Sequence, residues 1–169
     1  LADLELPESG TLLDIGSGSG TIGLEALRLR PKLKLISIDK RFGSQSLVKE
    51  NAKKLGVSPK KIIESDVRKF LTNDLSNFFS GSSRVVIGGC NTDTKIEIIK
   101  TVSKFLKKSD IIVLPIITYE VLQKVSDCLR KFNYVTNINL IQTFKGLSIS
   151  EGTRFEPNNP VFIIKAKKK

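Results

Sequence analysis

The sequence predicts an α/β fold: a mostly parallel, seven-stranded sheet with helices on both faces and an antiparallel hairpin at its C-terminal end. Three observations predict it. Short apolar runs alternate with amphipathic stretches along most of the chain. The first run, Thr11–Ile15, passes straight into a glycine-rich loop that opens a helix, together reading TLLDIGSGSGTIG. Two extended stretches near the end, Tyr134–Thr143 and Pro160–Lys165, are long enough to pair with each other.

Each element has its own signal. Thr11–Ile15 is a buried first strand with Asp14 near its carboxyl end, and Gly20–Leu29 is a helix stopped near Pro31. Lys34–Asp39 alternates and ends in an acid, as a second strand. Ser44–Leu55 is a helix closed by Gly56 at a C-terminal cap position. Lys61–Glu64 is a short third strand, followed directly by Asp66. Phe70–Phe79 is expected to be partly helical, and Gly81–Ser83 a turn. Arg84–Ile87 is the fourth strand, ending in Gly88-Gly89. Apolar residues at Ile96, Ile99, Val102 and Leu106 predict a helix over Asp93–Leu106, capped by Thr92 or Asp93. Ile111–Ile116 is the fifth strand and Glu120–Phe132 another helix. The closing hairpin then flanks an excursion over Gly146–Asn159.

Length and composition bound the possibilities. A chain of 169 residues suits a single domain over 1–169, and 40% hydrophobic with 27% charged residues suits a globular core. No run approaches the roughly 18 apolar residues of a membrane span. The chain contains no histidine, and its two cysteines, Cys90 and Cys128, lack metal-ligand spacing, so histidine acid–base chemistry is excluded and no metal site is expected. Cytoplasmic, reducing surroundings are expected. The chain opens at Leu1 and contains no Met, which predicts that these residues begin inside a longer polypeptide and lack an N-terminal segment of the domain. A net charge of +11 points to an acidic partner or to a solvated lysine-rich surface. The lysines at 53/54, 60/61, 107/108 and the 165–169 tail have no interleaved aromatic residues, so nucleic acid is only weakly indicated; a polycarboxylate small molecule is drawn by the same field.

The loop sets the chemistry. Gly16, Gly18 and Gly20 let the backbone turn sharply beneath a ligand, with Ser17 and Thr21 beside them. Residues 18–23 also spell GxGxxG, which alone fits NAD. Asp14 argues otherwise: an acid two residues before Gly16 suits an ammonium group, such as the methionyl amine of S-adenosyl-L-methionine, and would repel a pyrophosphate. Asp39, with Lys40 after it, ends the second strand where a carboxylate can accept both ribose hydroxyls. Asp66 stands where it can accept from an adenine amine, with Val67 packing near the ring. Each of these acids also has a plainer reading, as a strand-end residue capping a loop or helix.

Gly88 and Gly89 leave room for a bulky acceptor. The Asn/Asp-Pro-Pro-aromatic motif of exocyclic-amine methylation is missing from this point. Cys90 has no base beside it in the sequence and reads as a small buried residue. Asn91 either contacts substrate or caps the next helix. In the long connection, Thr153 and Arg154 are candidates to hold substrate carboxylates, with Asn159 nearby, or else are solvated loop residues. No catalytic side chain is identified.

The stretches LLDIGSGSGTIGLEALRL, LISIDKR, ESDV, VVIGGC and GTRFEPNNPVFII resemble the decarboxylating precorrin methyltransferases of cobalamin biosynthesis. This family comprises the cobalt-precorrin-6B C15-methyltransferases and the C-terminal half of precorrin-6Y C5,15-methyltransferases. The resemblance spans nearly the whole chain. It implies a Rossmann-like class I methyltransferase fold and S-adenosyl-L-methionine as cofactor. It also implies methylation of C15 of the macrocycle coupled to loss of carbon dioxide from the C12 acetate, and a homotetramer. The chain departs from the family at Cys90-Asn91-Thr92, where a further glycine pair is usual, and the family's N-terminal Thr-Lys-x-Glu-type motif is not among these residues. An RNA methyltransferase of the same fold and a non-catalytic nucleotide-binding module are the competing expectations.

Overall fold

In the computed structural model, which describes residues 1–70 and 75–169 (Ser76 by its backbone alone), one seven-stranded sheet carries the chain. Its strands are β1 (Ser9–Ile15), β2 (Lys32–Asp39), β3 (Lys61–Glu64), β4 (Ser83–Ile87), β5 (Ile111–Ile116), β6 (Tyr134–Ile141) and β9 (Val161–Lys168). They lie in the order β3-β2-β1-β4-β5-β9-β6. The first five are parallel, and β9 inserts antiparallel between β5 and β6, which is the predicted closing hairpin. Because β1 pairs with both β2 and β4, the chain reverses its winding at β1 and opens a crevice at the carboxyl ends of these strands.

Alternation of side chains across the strands builds two cores. Leu12, Leu33, Leu35 and Val86 face helices α1 (Thr21–Leu29) and α2 (Ser44–Leu55). Leu13, Ile15, Ile36, Ile38, Val85 and Ile87 face α3 (Thr92–Val102) and α4 (Tyr119–Lys131). Coverage on both faces is why Thr11–Ile15 of β1 and all of β4 are buried at consecutive positions.

Several boundaries differ from expectation. Strand β2 begins immediately after Pro31, two residues before the predicted start. Helix α3 stops at Val102 instead of Leu106: the Ser103 hydroxyl bonds back to the Ile99 carbonyl (2.6 Å) and meets the Tyr134 hydroxyl (2.9 Å), while Leu106 stays buried on the turn that follows. Within the predicted Phe70–Phe79 segment, Leu75–Phe78 is a 3₁₀ turn and residues 71–74 lie outside the described residues. The excursion is itself ordered: β7 (Phe144–Ile149) and β8 (Gly152–Pro157) form a separate antiparallel hairpin, exposed along most of its length. At the other end, buried Arg84 donates to the carbonyls of Leu4 (2.5 Å) and Glu5 (2.9 Å), fastening the N-terminal residues to β4.

Candidate functional site

The crevice is built from the tips of four strands. Gly16, at the turn after β1, has φ +69°, and a Cβ there would lie 2.7 Å from the Gly89 nitrogen. Facing it, a Cβ at Gly88 would lie 2.9 Å from the Gly16 carbonyl oxygen, and the Gly88 amide donates to the Ile15 carbonyl (2.7 Å). The loops after β1 and β4 therefore touch through main chain. Gly88 serves this approach, and the room expected for a bulky acceptor is found at Gly89, where an added Cβ would meet nothing within 4 Å.

The glycine loop spends its amides on the protein. Gly16 and Ser17 donate to the Ile38 carbonyl (2.8 and 3.2 Å), Gly20 to the Ser17 carbonyl (2.8 Å) and Gly18 to the Asp39 carboxylate (2.7 Å). Asp14 is 2% exposed and accepts from the Gly23 amide (3.1 Å) in the first turn of α1. Burial pushes its carboxyl up to about 6, with Asp39 adding to the rise and the Gly23 bond opposing it. A carboxyl group thus already occupies the helix end where a dinucleotide pyrophosphate would sit. This arrangement argues against the GxGxxG as a phosphate cradle. It also places Asp14 behind the loop, outside the lining of the cleft that Asp39 and Asp66 share.

That cleft, about 70 Å³, is lined by Ile15, Gly16, Ile38, Asp39, Lys40, Asp66, Val67, Gly89 and Asn91 among others. Asp39 is 7% exposed. Burial raises its carboxyl, but bonds from the Arg41 amide (2.9 Å), the Arg41 guanidinium (3.3 Å) and Gly18 outweigh burial and hold it below the usual range. Asp66 caps a 3₁₀ turn (Val67–Lys69) by accepting from the Arg68 amide (3.0 Å). It also accepts from the Arg68 guanidinium (2.6 Å), and these bonds pull it down to about 2. Both acids are ionised acceptors at neutral pH, each partly covered by an arginine that sequence reading did not single out. The lining fits a nucleoside in its chemistry: two acceptor acids that would suit a diol and an amine, and Ile15, Ile38 and Val67 as apolar surface for a flat base.

A second, wider cleft of about 680 Å³ adjoins the first across Lys40, Gly89, Cys90 and Asn91. Pro115, Ile116, Ile117, Val121 and Val161 give it an apolar wall, and Lys95 contributes an ammonium group. Asn91 caps α3 by accepting from the Thr94 amide (2.9 Å), in place of the expected Thr92 or Asp93, because its side chain sits one residue before the first helical turn; it also lines both clefts. Burial raises the Cys90 thiol, and Lys95 only partly offsets this, so the sulfur is a poor nucleophile. Ser17 and Gly18 line a further hollow with Arg41 and Phe42, and Thr21 meets the Ser19 hydroxyl (2.8 Å) at the exposed start of α1. Thr153 and Arg154 lie on exposed β8, with Arg154 near Glu156 (3.8 Å), and Asn159 follows in the link to β9; neither cleft is lined by them.

Residues 1–168 match the family model of the precorrin methyltransferase domain. The chain is 31% identical over 168 residues to a Pyrobaculum aerophilum protein named probable cobalt-precorrin-6B C(15)-methyltransferase (decarboxylating), covering 98% of this chain and 83% of that one. A Sulfurisphaera tokodaii protein of the same name is 30% identical over 169 residues, covering 99% and 85%. The crystal structure of precorrin-6y C5,15-methyltransferase from Geobacter metallireducens superposes with a TM-score of 0.83 at 27% identity, covering 99% of this chain and 85% of that one.

Proposed function

This chain belongs to the precorrin methyltransferase family, and on that premise we propose that it methylates C15 of a precorrin macrocycle in cobalamin biosynthesis, with loss of carbon dioxide from the C12 acetate. The observation that carries the reading is the match of residues 1–168 to the family's domain. S-adenosyl-L-methionine, when bound, supplies the electrophilic methyl group. Asp39 takes the ribose hydroxyls, Asp66 the adenine amine, and Val67 the ring face; Gly16, Ser17, Gly18, Gly20 and Thr21 form the loop beneath, with Lys40 and Gly89 at the boundary with the acceptor. An electron-rich macrocycle is its own carbon nucleophile, so the protein's task is alignment, which a chain without histidine can perform.

The acceptor's many carboxylates account for the +11 net charge without invoking nucleic acid. Self-association, as the homotetramer expected from the family, is supported by the edge strand β6 and the β7–β8 arm, where Leu140, Phe144 and Phe155 are 58%, 59% and 68% exposed. Thr153, Arg154 and Asn159 would then serve acceptor binding from an arm that reaches a neighbouring copy. The free thiols of Cys90 and Cys128 suit a reducing, cytoplasmic setting.

Titration calorimetry with S-adenosylhomocysteine and with NAD tests the cofactor. The first should bind and the second should not, and Asp39→Ala should weaken S-adenosylhomocysteine by about 1–3 kcal/mol. NAD binding in its place would sink the assignment. Label from radioactive S-adenosyl-L-methionine should enter a precorrin substrate and not bulk RNA.

A further inference from the structure

Lys95 is a buried cation that the methyl-transfer reading leaves unused. It lies on α3, 6% exposed, and its ammonium donates to the carbonyls of Gly88 (2.8 Å) and Cys90 (2.5 Å). The remaining neighbour is the Cys90 sulfur at 3.7 Å, a weak acceptor. None of the ion pairs among the described residues includes Lys95. Carbonyl dipoles satisfy two of its protons but supply no counter-charge, and a buried charge without one is costly. If holding the turn were the whole task, a neutral donor would do it without that cost.

The wider cleft beside it is chemically one-sided. Its wall is largely apolar beside Asn91, Thr92 and Thr118, its charged lining residues are Lys95 and Lys40, and no carboxylate lines it among the described residues. An apolar slot with two ammonium groups and no acid suits a flat hydrophobic body bearing anionic arms. We propose that Lys95 anchors a carboxylate arm of the acceptor in this cleft, and so fixes which edge of the acceptor faces the methyl donor. The proposal rests on the reading of the acceptor as a polycarboxylate macrocycle and assigns that reading a specificity-determining side chain. The carboxylate would take the proton now aimed at Cys90 sulfur while the two carbonyl bonds keep the ammonium in place. In this arrangement Gly88 and Cys90 position the cation, and the cation positions the substrate.

The test uses uroporphyrin, an octacarboxylate porphyrin, as the probe, with fluorescence titration at several salt concentrations and S-adenosylhomocysteine titrated separately. Lys95→Gln should weaken uroporphyrin five- to twentyfold and flatten the loss of its affinity with salt, because one salt-screened ion pairing is gone. Lys95→Arg should stay within threefold of the parent protein, and both variants should keep S-adenosylhomocysteine affinity within twofold. Uroporphyrin affinity unchanged in Lys95→Gln would overturn the proposal. So would a joint loss of both ligands with a lowered melting temperature, which marks a mere staple of the turn. If the parent protein binds S-adenosylhomocysteine but not uroporphyrin, the polycarboxylate reading itself fails and takes the anchor with it. Should Lys95→Gln not fold, Thr92→Asp keeps the lysine and its turn while adding an acid to the same cleft; it should weaken uroporphyrin at least fivefold, and unchanged affinity there overturns the proposal.

Discussion

The two sides of the sheet follow different rules. From β3 to β5 the strands are parallel, helices cover both faces, and the connecting loops press main chain against main chain at Gly16 and Gly88. At β9 and β6 the strands are antiparallel, β6 is an edge, and the β7–β8 arm holds Phe144 and Phe155 in solvent. At Gly16 and Gly88 the first side has no room for an added atom, because each faces backbone of the other loop. The second leaves apolar side chains exposed, among them Leu140, Phe144 and Phe155.

The sharpest way to break this contrast is Gly16→Ala. It adds the cost of a left-handed backbone to a Cβ 2.7 Å from the Gly89 nitrogen, and should lower folding stability by about 2–5 kcal/mol in urea denaturation. Gly56→Ala is the control: φ is +65°, nothing lies within 4 Å of the added carbon, and the loss should be only about 1–2 kcal/mol. Equal losses would show that backbone angle alone matters and that the rim is not closely packed.

Next in size is the titration of Asp14. Its folded carboxyl sits at about 6 against an ordinary value of 3.8, so the protonated form is favoured in the fold. The Asp14 contribution to stability is therefore greatest below about pH 4, falls as pH rises through 4 to 6, and is about 3 kcal/mol lower beyond. Asp14→Asn should flatten that part of the stability–pH profile; an identical slope in both proteins would show that Asp14 carries an ordinary carboxyl. The smallest effect on folding belongs to the arm. Replacing Phe144 and Phe155 with Ser should change monomer stability by no more than about 0.5 kcal/mol, yet lower the assembly mass in sedimentation. An unchanged mass would remove the arm from the interface.

Strands covered on both faces are legible because burial writes itself as continuous apolar runs, as in Val85–Ile87 and IIVLPI, and the glycine loop with Asp39 and Asp66 is legible by order along the chain. The arm is not: β7 and β8 are exposed on both faces, so no period-2 signal exists to read. Asp14 is readable as an acid at a strand tip, but its direction, toward Gly23 instead of the cleft, depends on how closely α1 packs. Arg41 and Arg68 are hidden because each bonds an acid two residues away that already had a role. Lys95 did leave a trace: with Ile99 and Val102 it falls at helical spacing on the buried stripe of α3, where a lysine is out of place.

The backbone contact between Gly16 and Gly88 makes the two clefts share one wall. Lys95 grips that wall from the wider cleft through the Gly88 carbonyl, while Ile38 grips it from the smaller cleft through the Gly16 amide. Were a methyl donor and its acceptor to fill these two clefts, any coupling carried by this segment would be reciprocal. By whatever factor filling one cleft shifts this shared segment in favour of the other ligand, the reverse order of filling returns the same factor.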